Sequence, residues 1–142
     1  MTTDCPFCDL AASRVFLRTP DVIGLWDGYP VSLGHSLLVP VRHVANWFDA
    51  TARERAALVD AIDEAKLRID ASHHPDGYNI GINCGAAAGQ TVFHLHIHLI
   101  PRYDHDVPDP RGGVRHVIPK KANYLTGAAG STPDTNGELL NE

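Results

Sequence analysis

Three histidines at alternate positions constrain the fold of this chain more than any other feature. His94, His96 and His98 are separated by single apolar residues within the run GQTVFHLHIHLIPR, which spans residues 89–102. Alternation with a period of two is typical of a β-strand with one buried face. The pattern therefore predicts a strand whose three histidines share one face. Its other face is predicted to pack into the core through Phe93, Leu95, Ile97 and Leu99.

A row of imidazoles can carry out chemistry at a phosphorus centre. A strand rises about 3.3 Å per residue, so successive histidines stand about 6.6 Å apart, and the outer two can contact oxygens while the middle one attacks. Neutral imidazole, with an unperturbed pKa of about 6.5, is a nucleophile without an activating base. Two alternatives stay open here: exposed strand histidines with no shared role, and a catalytic zinc site, since two histidines two apart on a strand suit zinc.

Length and charge restrict the class of protein. A chain of 142 residues suits one domain with a single core. The net charge of -5 argues against a protein that binds nucleic acid over a broad basic surface, although a small phosphorylated ligand needs only a local pocket. No apolar run approaches a membrane span, and the N-terminus lacks a secretory pattern. We therefore expect a cytoplasmic protein that binds neither nucleic acid nor membrane.

Hydrophobic periodicity predicts the other elements. Short strands are expected at residues 15–17, 22–26, 34–40 and 78–83, with an antiparallel pair formed by the first two. Thr51 and Glu54 have the spacing of a capping box, which begins the one long helix, ending at about Ser72. The apolar stripe of this helix is predicted to lie in the core, and its members are Ala56, Leu58, Val59, Ile62, Ala65, Leu67 and Ile69.

The elements together predict an α+β fold with a mainly antiparallel sheet of about five strands. Residues 112–119 are expected to add a further strand. The composition after Gly127 has no periodicity, so residues 1–125 are predicted to form the domain and residues 126–142 a disordered C-terminal tail.

The N-terminal cysteines have a spacing used for zinc. Cys5 and Cys8 can supply two thiolates to one tetrahedral ion, but two further ligands are needed, and a pair of ordinary thiols is the alternative. With Cys84 the chain has three cysteines, an odd number that does not form a complete disulfide framework.

The triad run, preceded by Ala-Gly-Gln-Thr-Val and followed by Pro101 and Arg102, resembles the signature of the histidine triad (HIT) family of nucleotide hydrolases and transferases. The similarity extends over residues 5–103. It implies a HIT-like fold, a two-fold homodimer that joins two sheets, and an enzyme. The implied reaction cleaves a dinucleoside polyphosphate or an AMP-linked amine through a nucleotidyl-histidine intermediate.

The resemblance also implies roles for individual residues. His96 would attack the α-phosphorus, while His98 and His35 would hold the non-bridging or leaving oxygens. Asp27, eight positions before His35, matches a residue that contacts the ribose of the nucleotide. Three uncharged hydrogen-bonding residues match positions that contact the phosphate or the bridging oxygen, and they are Asn83, Gln90 and Thr91.

Some bacterial HIT proteins that this chain resembles complete a zinc site with two histidines. One belongs to a Pro-x-x-His stretch and the other is the first histidine of the triad, which here are His43 and His94. The resemblance thus implies one structural zinc, held by Cys5, Cys8, His43 and His94, and no catalytic metal.

Several alternatives remain open from the sequence. Fhit-like enzymes cleave dinucleoside polyphosphates, Hint-like enzymes cleave AMP-linked amines, and a phosphorylase branch uses phosphate in place of water. The chain has features of more than one branch. A nucleotide-binding interaction protein with incidental hydrolysis and a zinc-dependent hydrolase are the alternatives from other classes.

Overall fold

A computed structural model describes residues 4–126. The first compact unit, Met1–Asp104, is described from residue 4 and contains a five-stranded sheet and one long helix, so the predicted α+β fold is confirmed. The helix α1 is Ala52–His73. The strands are β1 Val15–Arg18, β2 Val22–Trp26, β3 Ser36–Pro40, β4 Gly77–Ile82 and β5 Ile97–Arg102.

The sheet is antiparallel throughout and has the order β1-β2-β3-β5-β4. The strand that carries the last triad histidine therefore lies inside the sheet, between β3 and β4. Its register sets His98 opposite Leu37 of β3 and Gly81 of β4. A buried, doubly paired strand holds its side chains in fixed directions, which is what a catalytic side chain requires.

Apolar side chains are packed on both faces of the sheet. Apolar residues on one face pack beneath α1, among them Leu95, Ile97 and Leu99. The alternate residues of β2 and β3 pack on the other face with Phe7 of the N-terminal segment. The predicted apolar face of the triad run is thus confirmed for three of its four members. Phe93 is the exception, because 51% of it is exposed.

The triad run does not form a single strand. Strand β5 begins only at Ile97, so His94 and His96 lie in the irregular segment before it. The register of β3 with β5 would set Pro40 opposite Leu95, and a proline has no N–H with which to continue the ladder. Leu95 instead donates its amide N–H to the carbonyl of Val44 at 2.8 Å. The predicted row of evenly spaced strand histidines is therefore corrected.

Helix α1 begins at the predicted capping box. The hydroxyl of Thr51 accepts the N–H of Glu54 at 3.1 Å, and the Glu54 carboxylate accepts the N–H of Thr51 at 2.9 Å. Arg42 hydrogen-bonds the same carboxylate and lowers the pKa of Glu54 to about 2. No helix within residues 4–126 is long and apolar enough to cross a membrane.

The buried face of α1 is narrower than predicted. Leu58, Ala61, Ala65 and Ile69 are buried at intervals of three and four residues, as expected for one face of a helix. Three residues assigned to the stripe are exposed, and they are Ala56, Val59 and Leu67. Apolar character alone did not distinguish these positions from the buried ones.

The second unit, His105–Glu142, is described up to residue 126. Short 3-10 helices at Gly113–Val117, Pro119–Lys121 and Tyr124–Thr126 replace the strand predicted for residues 112–119. Gly112 and Gly113 have φ values of 100° and 48°, which an extended strand does not use. The predicted tail lies outside the described residues from 127 onward.

Candidate active site

A cleft of about 420 Å³ opens on the face of the sheet opposite α1. It brings together residues that are far apart in the chain. Six of the seven predicted catalytic and substrate-binding residues line it, and they are Asp27, His35, Asn83, Thr91, His96 and His98. Phe7, Arg14 and Tyr29 also line the cleft, although the sequence pattern singled out none of them.

The middle histidine of the triad is fixed by a backbone carbonyl. His96 Nδ1 lies 2.8 Å from the carbonyl oxygen of His94, and because that oxygen can only accept, the ring must donate its proton from Nδ1. The lone pair of the neutral ring is then on Nε2. The Phe7 ring packs edge-on against His96 with the centroids 5.0 Å apart. His96 is therefore an oriented, buried imidazole that fits the role of a nucleophile.

Gly34, which has a left-handed backbone conformation, turns the chain so that His35 lies in the cleft. Gly34 has a φ of 85°, and a Cβ there would lie 3.2 Å from Ile69 and 3.3 Å from Pro101. The His35 Nδ1 accepts the amide N–H of Val31 at 3.1 Å, so its proton is on Nε2. This Nε2–H lies 3.0 Å from Nδ1 of His98, which is an acceptor.

The last triad histidine is a neutral hydrogen-bond donor. Because His98 Nδ1 accepts from His35, its own proton is on Nε2. Burial lowers the pKa of His98 to about 4, with further lowering from His96 and His35 and an opposing effect of Asp27. Burial also lowers the pKa of His35. His98 therefore enters chemistry near pH 7 as a donor of hydrogen bonds and not as a cationic acid.

A second cluster lies where the N-terminal segment meets the triad. Ligand atoms of Cys5, Cys8, His43 and His94 all lie within 4.8 Å of one another. His94 donates from Nε2 to the carbonyl of Pro40 at 2.8 Å, which leaves the lone pair on Nδ1, 3.4 Å from the Cys5 sulfur. A histidine whose second nitrogen is held by a carbonyl is a common zinc ligand. Two thiols and two imidazoles suit tetrahedral zinc, so these residues fit the ion.

The other group with metal-binding atoms fits an ion less well. Asp27, His35 and His98 also bring three ligand atoms within 4.8 Å of one another. However, the Val31 amide keeps the proton of His35 on Nε2, and a protonated nitrogen cannot bind a metal. The hydrogen bonds of His35 to Val31 and His98 account for the short distances in this group. The histidines of the triad also do not converge on one point, because the Nδ1 of His94 faces the thiols and that of His96 faces a carbonyl.

Gln90 lies behind the cleft and does not line it. Its Oε1 accepts the N–H of Gly85 at 2.8 Å, and its Nε2 donates to the carbonyls of Ala45 and Val92 at 2.6 and 3.1 Å. Gln90 is buried and joins the loop before the triad to the segment after β3. The contact with the phosphate or the bridging oxygen that the resemblance implied stays a prediction.

The cleft residues absent from the sequence-based prediction came from unpatterned segments. Phe7 lies between Cys5 and Cys8. Because the predicted zinc site joins these cysteines to His94, the sequence could have predicted that Phe7 lies near the triad. Arg14 donates to the carbonyl of Trp26 at 3.0 Å and borders Gly28. Tyr29 is 91% exposed at the cleft. Neither Arg14 nor Tyr29 belongs to a motif.

Comparison with known proteins identifies the family of this chain. The HIT domain model matches residues 10–105, and the chain belongs to the HIT family, as its histidine signature predicted. It is 38% identical to an AP-4-A phosphorylase of Mycobacterium tuberculosis over 73% of this chain and 54% of that protein. It is 33% identical to the adenylylsulfatase HINT3 of Arabidopsis thaliana over 75% of this chain and 56% of that protein. A Zn-bound histidine triad family protein from Mycobacterium smegmatis has a TM-score of 0.67 at 30% identity, over 80% of this chain and 90% of that chain.

The lowered pKa of His98 predicts a loss of stability in acid. Between pH 6.5 and 4 the unfolded chain binds more protons at His98 than the folded chain, so the free energy of unfolding falls as the pH decreases. His35 and His94, whose pKa values are also lowered, act in the same direction. The contribution of His98 is at most about 2 kcal/mol between pH 6.5 and 5.

Replacement by an uncharged residue tests this dependence. We expect His98→Asn to lose less stability than the wild type when the pH is lowered from 7 to 5, because the variant has no proton to gain at this position. Urea unfolding at both pH values measures the difference. Equal losses in the two proteins would show that His98 has the same proton affinity in the folded and unfolded chains.

Proposed function

We propose that this protein is a nucleotidyl hydrolase or transferase that cleaves an adenosine-containing phosphoanhydride or phosphoramidate through a nucleotidyl-histidine intermediate. The observation that carries the proposal is the orientation of His96. Its Nδ1 is held by the carbonyl of His94, so Nε2 is free for bonding, in a cleft that also contains His35 and His98.

In the first step Nε2 of His96 attacks the α-phosphorus. A nitrogen–phosphorus bond forms as the bond from phosphorus to the leaving oxygen or nitrogen breaks, and the leaving group departs with the electron pair. The imidazole of His96 becomes cationic, and the hydrogen bond from its Nδ1–H to the carbonyl of His94 stabilises that charge. The Nε2–H of His98 donates a hydrogen bond to a phosphate or leaving-group oxygen.

In the second step an acceptor attacks the phosphorus of the nucleotidyl-histidine from the side that the leaving group has vacated. The nitrogen–phosphorus bond breaks, its electron pair returns to Nε2, and His96 regains its starting state. With water as acceptor the products are AMP and a proton. With inorganic phosphate the product is ADP, and the name of the Mycobacterium tuberculosis relative, AP-4-A phosphorylase, supports testing that acceptor. Dividing one displacement into two easier steps is the gain from covalent catalysis.

Uncharged donors around the cleft are proposed to bind the substrate. Asn83 and Thr91 line the cleft, which supports a contact with phosphate oxygens, and Asp27 also lines it, which supports a contact with the ribose. For Gln90 the family position supports a contact with the phosphate or the bridging oxygen, while its three hydrogen bonds within the protein support a second role in holding the loop. Hydrogen bonds from such donors to a charged phosphate are charge-assisted and therefore stronger than those between neutral groups.

Removal of the proposed nucleophile gives the first test. His96→Ala should lower turnover of diadenosine tetraphosphate and adenosine phosphoramidate by at least 100-fold while AMP binding persists, because only the covalent step is lost. His74→Asn, at the exposed C-terminal end of α1, is the matched control and should keep the wild-type rate. Substantial turnover by His96→Ala would assign the nucleophile elsewhere.

We also propose that Cys5, Cys8, His43 and His94 hold one structural zinc ion. The donor set and the orientation of His94 support this, as does the Zn-bound relative of known structure. A zinc with four protein ligands has no position for a reactive water. These residues would instead hold the N-terminal segment, and with it Phe7, against His96.

Metal analysis distinguishes Cys5 and Cys8, which belong to the proposed zinc site, from Cys84, which does not. Protein purified without added metal should contain about one zinc per chain, and Cys5→Ser should contain much less and melt at a lower temperature. Cys84→Ser is the control, because Cys84 is outside the cluster and should leave the zinc content unchanged. A zinc-free wild type, or a Cys5→Ser variant with full zinc, would contradict the site.

A homodimer is the proposed assembly, through the outer edge of β4. Strand β4 ends the sheet and has no strand partner on its outer side within residues 4–126. The opposite edge strand, β1, has an irregular register at Phe16, whose carbonyl accepts the guanidinium of Arg68. A bulge and a covering charge protect a strand edge, so β4 is the edge that favours pairing with a second copy.

A charge placed on β4 should prevent this association. Ile80, which is 46% exposed, would meet its symmetry mate across a two-fold axis at this edge, so Ile80→Glu should convert a dimer to a monomer by light scattering. Phe48→Glu is the control at an exposed apolar position outside the sheet. A monomeric wild type, or a dimer that both variants retain, would exclude the β4 interface.

A further inference from the structure

The loop between β2 and β3 contains a carboxylate that hydrogen-bonds within the protein. Asp27 Oδ1 accepts the amide N–H of Tyr29 at 2.8 Å, and Oδ2 lies 3.2 Å from Nε2 of His35. A backbone hydrogen bond from the N–H of Asp27 to the carbonyl of His35 closes the loop at 3.0 Å. This bond explains why two residues eight positions apart face each other.

We propose that Asp27 is a positioning residue, which together with the Val31 amide orients His35 and, through His35, sets His98 to donate from Nε2. This role is separate from the ribose contact proposed above, although its kinetic consequence rests on the proposed function. Asp27 would then affect the rate of the chemical step even where the substrate has no hydroxyl for it to bind.

Two independent contacts set the direction of this hydrogen-bond relay. The amide of Val31 can only donate, so Nδ1 of His35 must accept and Nε2 must carry the proton. The Oδ2 of Asp27 lies 3.2 Å from the same ring nitrogen, and a negative carboxylate there favours a protonated Nε2 over a lone pair. With that proton in place, the His98 nitrogen at 3.0 Å must be the acceptor. If His35 carried its proton on Nδ1 instead, that N–H would face the N–H of Val31, and two donors would meet.

The carboxylate is required because it has two acceptor oxygens. Its Oδ1 accepts the amide N–H of Tyr29, and its Oδ2 faces the protonated Nε2 of His35 at 3.2 Å. An asparagine has one acceptor oxygen, and its NH₂ group would face one of these two donors. Asp27→Asn therefore keeps the shape of the side chain but replaces one acceptor oxygen, beside Tyr29 or beside His35, with a donor. Its effect on His35 should be transmitted to His98, whose Nδ1 lies 3.0 Å from Nε2 of His35 and 3.9 Å from Oδ2 of Asp27.

The kinetic experiment compares two substrates in four proteins. The substrates are adenosine phosphoramidate and its 2′,3′-dideoxy analogue, which offers no ribose hydroxyl to Asp27. The proteins are wild type, Asp27→Asn, His35→Ala and the double variant. Asp21→Asn, which removes a carboxylate paired with Arg53 on the surface, is the matched control and should keep the wild-type parameters.

We expect Asp27→Asn to lower kcat about tenfold, the effect of losing one charge-assisted polar contact, with both substrates. In the His35→Ala background the same substitution should change kcat less than twofold, because the residue through which Asp27 acts is gone. Two results would overturn the proposal: a loss confined to KM that disappears with the dideoxy substrate, or a kcat effect of Asp27→Asn that persists without His35.

A spectroscopic measurement on the resting protein distinguishes failure of this proposal from failure of the proposed function. Nitrogen NMR of ¹⁵N-histidine-labelled protein should show His35 and His98 protonated at Nε2 and unprotonated at Nδ1 at pH 7. A proton on Nδ1 of either ring would overturn the relay. If no substrate is turned over by the wild type, the proposed function fails, while the relay is judged by these spectra and their change in Asp27→Asn.

Discussion

Each triad histidine, and His35 beside them, is held at one ring nitrogen by a neighbouring group whose hydrogen-bonding role is fixed. The carbonyls of Pro40 and His94 can only accept, so they take the protons of His94 Nε2 and His96 Nδ1. The amide of Val31 can only donate, so His35 keeps its proton on Nε2. These contacts decide which nitrogen remains for a metal, for a phosphorus atom or for a hydrogen bond. Neighbouring imidazoles of the same residue type thereby acquire different chemical roles.

The backbone around Pro40 connects the fold with this assignment. Because Pro40 cannot extend the β3–β5 ladder, the chain before Ile97 leaves the sheet and bonds Val44 instead. That departure directs His94 toward the two cysteines and aligns the ring of His96 with the carbonyl of His94. The residues of the proposed zinc site and the proposed nucleophile consequently share one short segment, and the Phe7 ring contacts both histidines.

Much of the fold could be predicted, because apolar periodicity reports burial directly. The capping box at Thr51, the antiparallel pair β1–β2 and the burial of Leu95, Ile97 and Leu99 follow from pattern alone. The irregular backbone at His94 and His96 could not be predicted, since it depends on a proline in a distant strand. The 3-10 helix after Gly112 could not be predicted, because its residues also suit a strand. Hydrogen-bond partners such as Val31 and Ala45 are backbone groups, which no sequence motif identifies.

The central claim is that Nε2 of His96 forms the covalent bond to the nucleotide. The most direct measurement is a reaction with adenosine phosphoramidate, quenched within the first turnover and analysed by peptide mass spectrometry. ³¹P and ¹⁵N NMR of the trapped protein then identify the nitrogen that is bonded to phosphorus. We predict AMP on His96 alone, attached through Nε2 while Nδ1 remains protonated. Attachment to another residue, attachment through Nδ1, or rapid turnover with no adduct at any time would contradict the account.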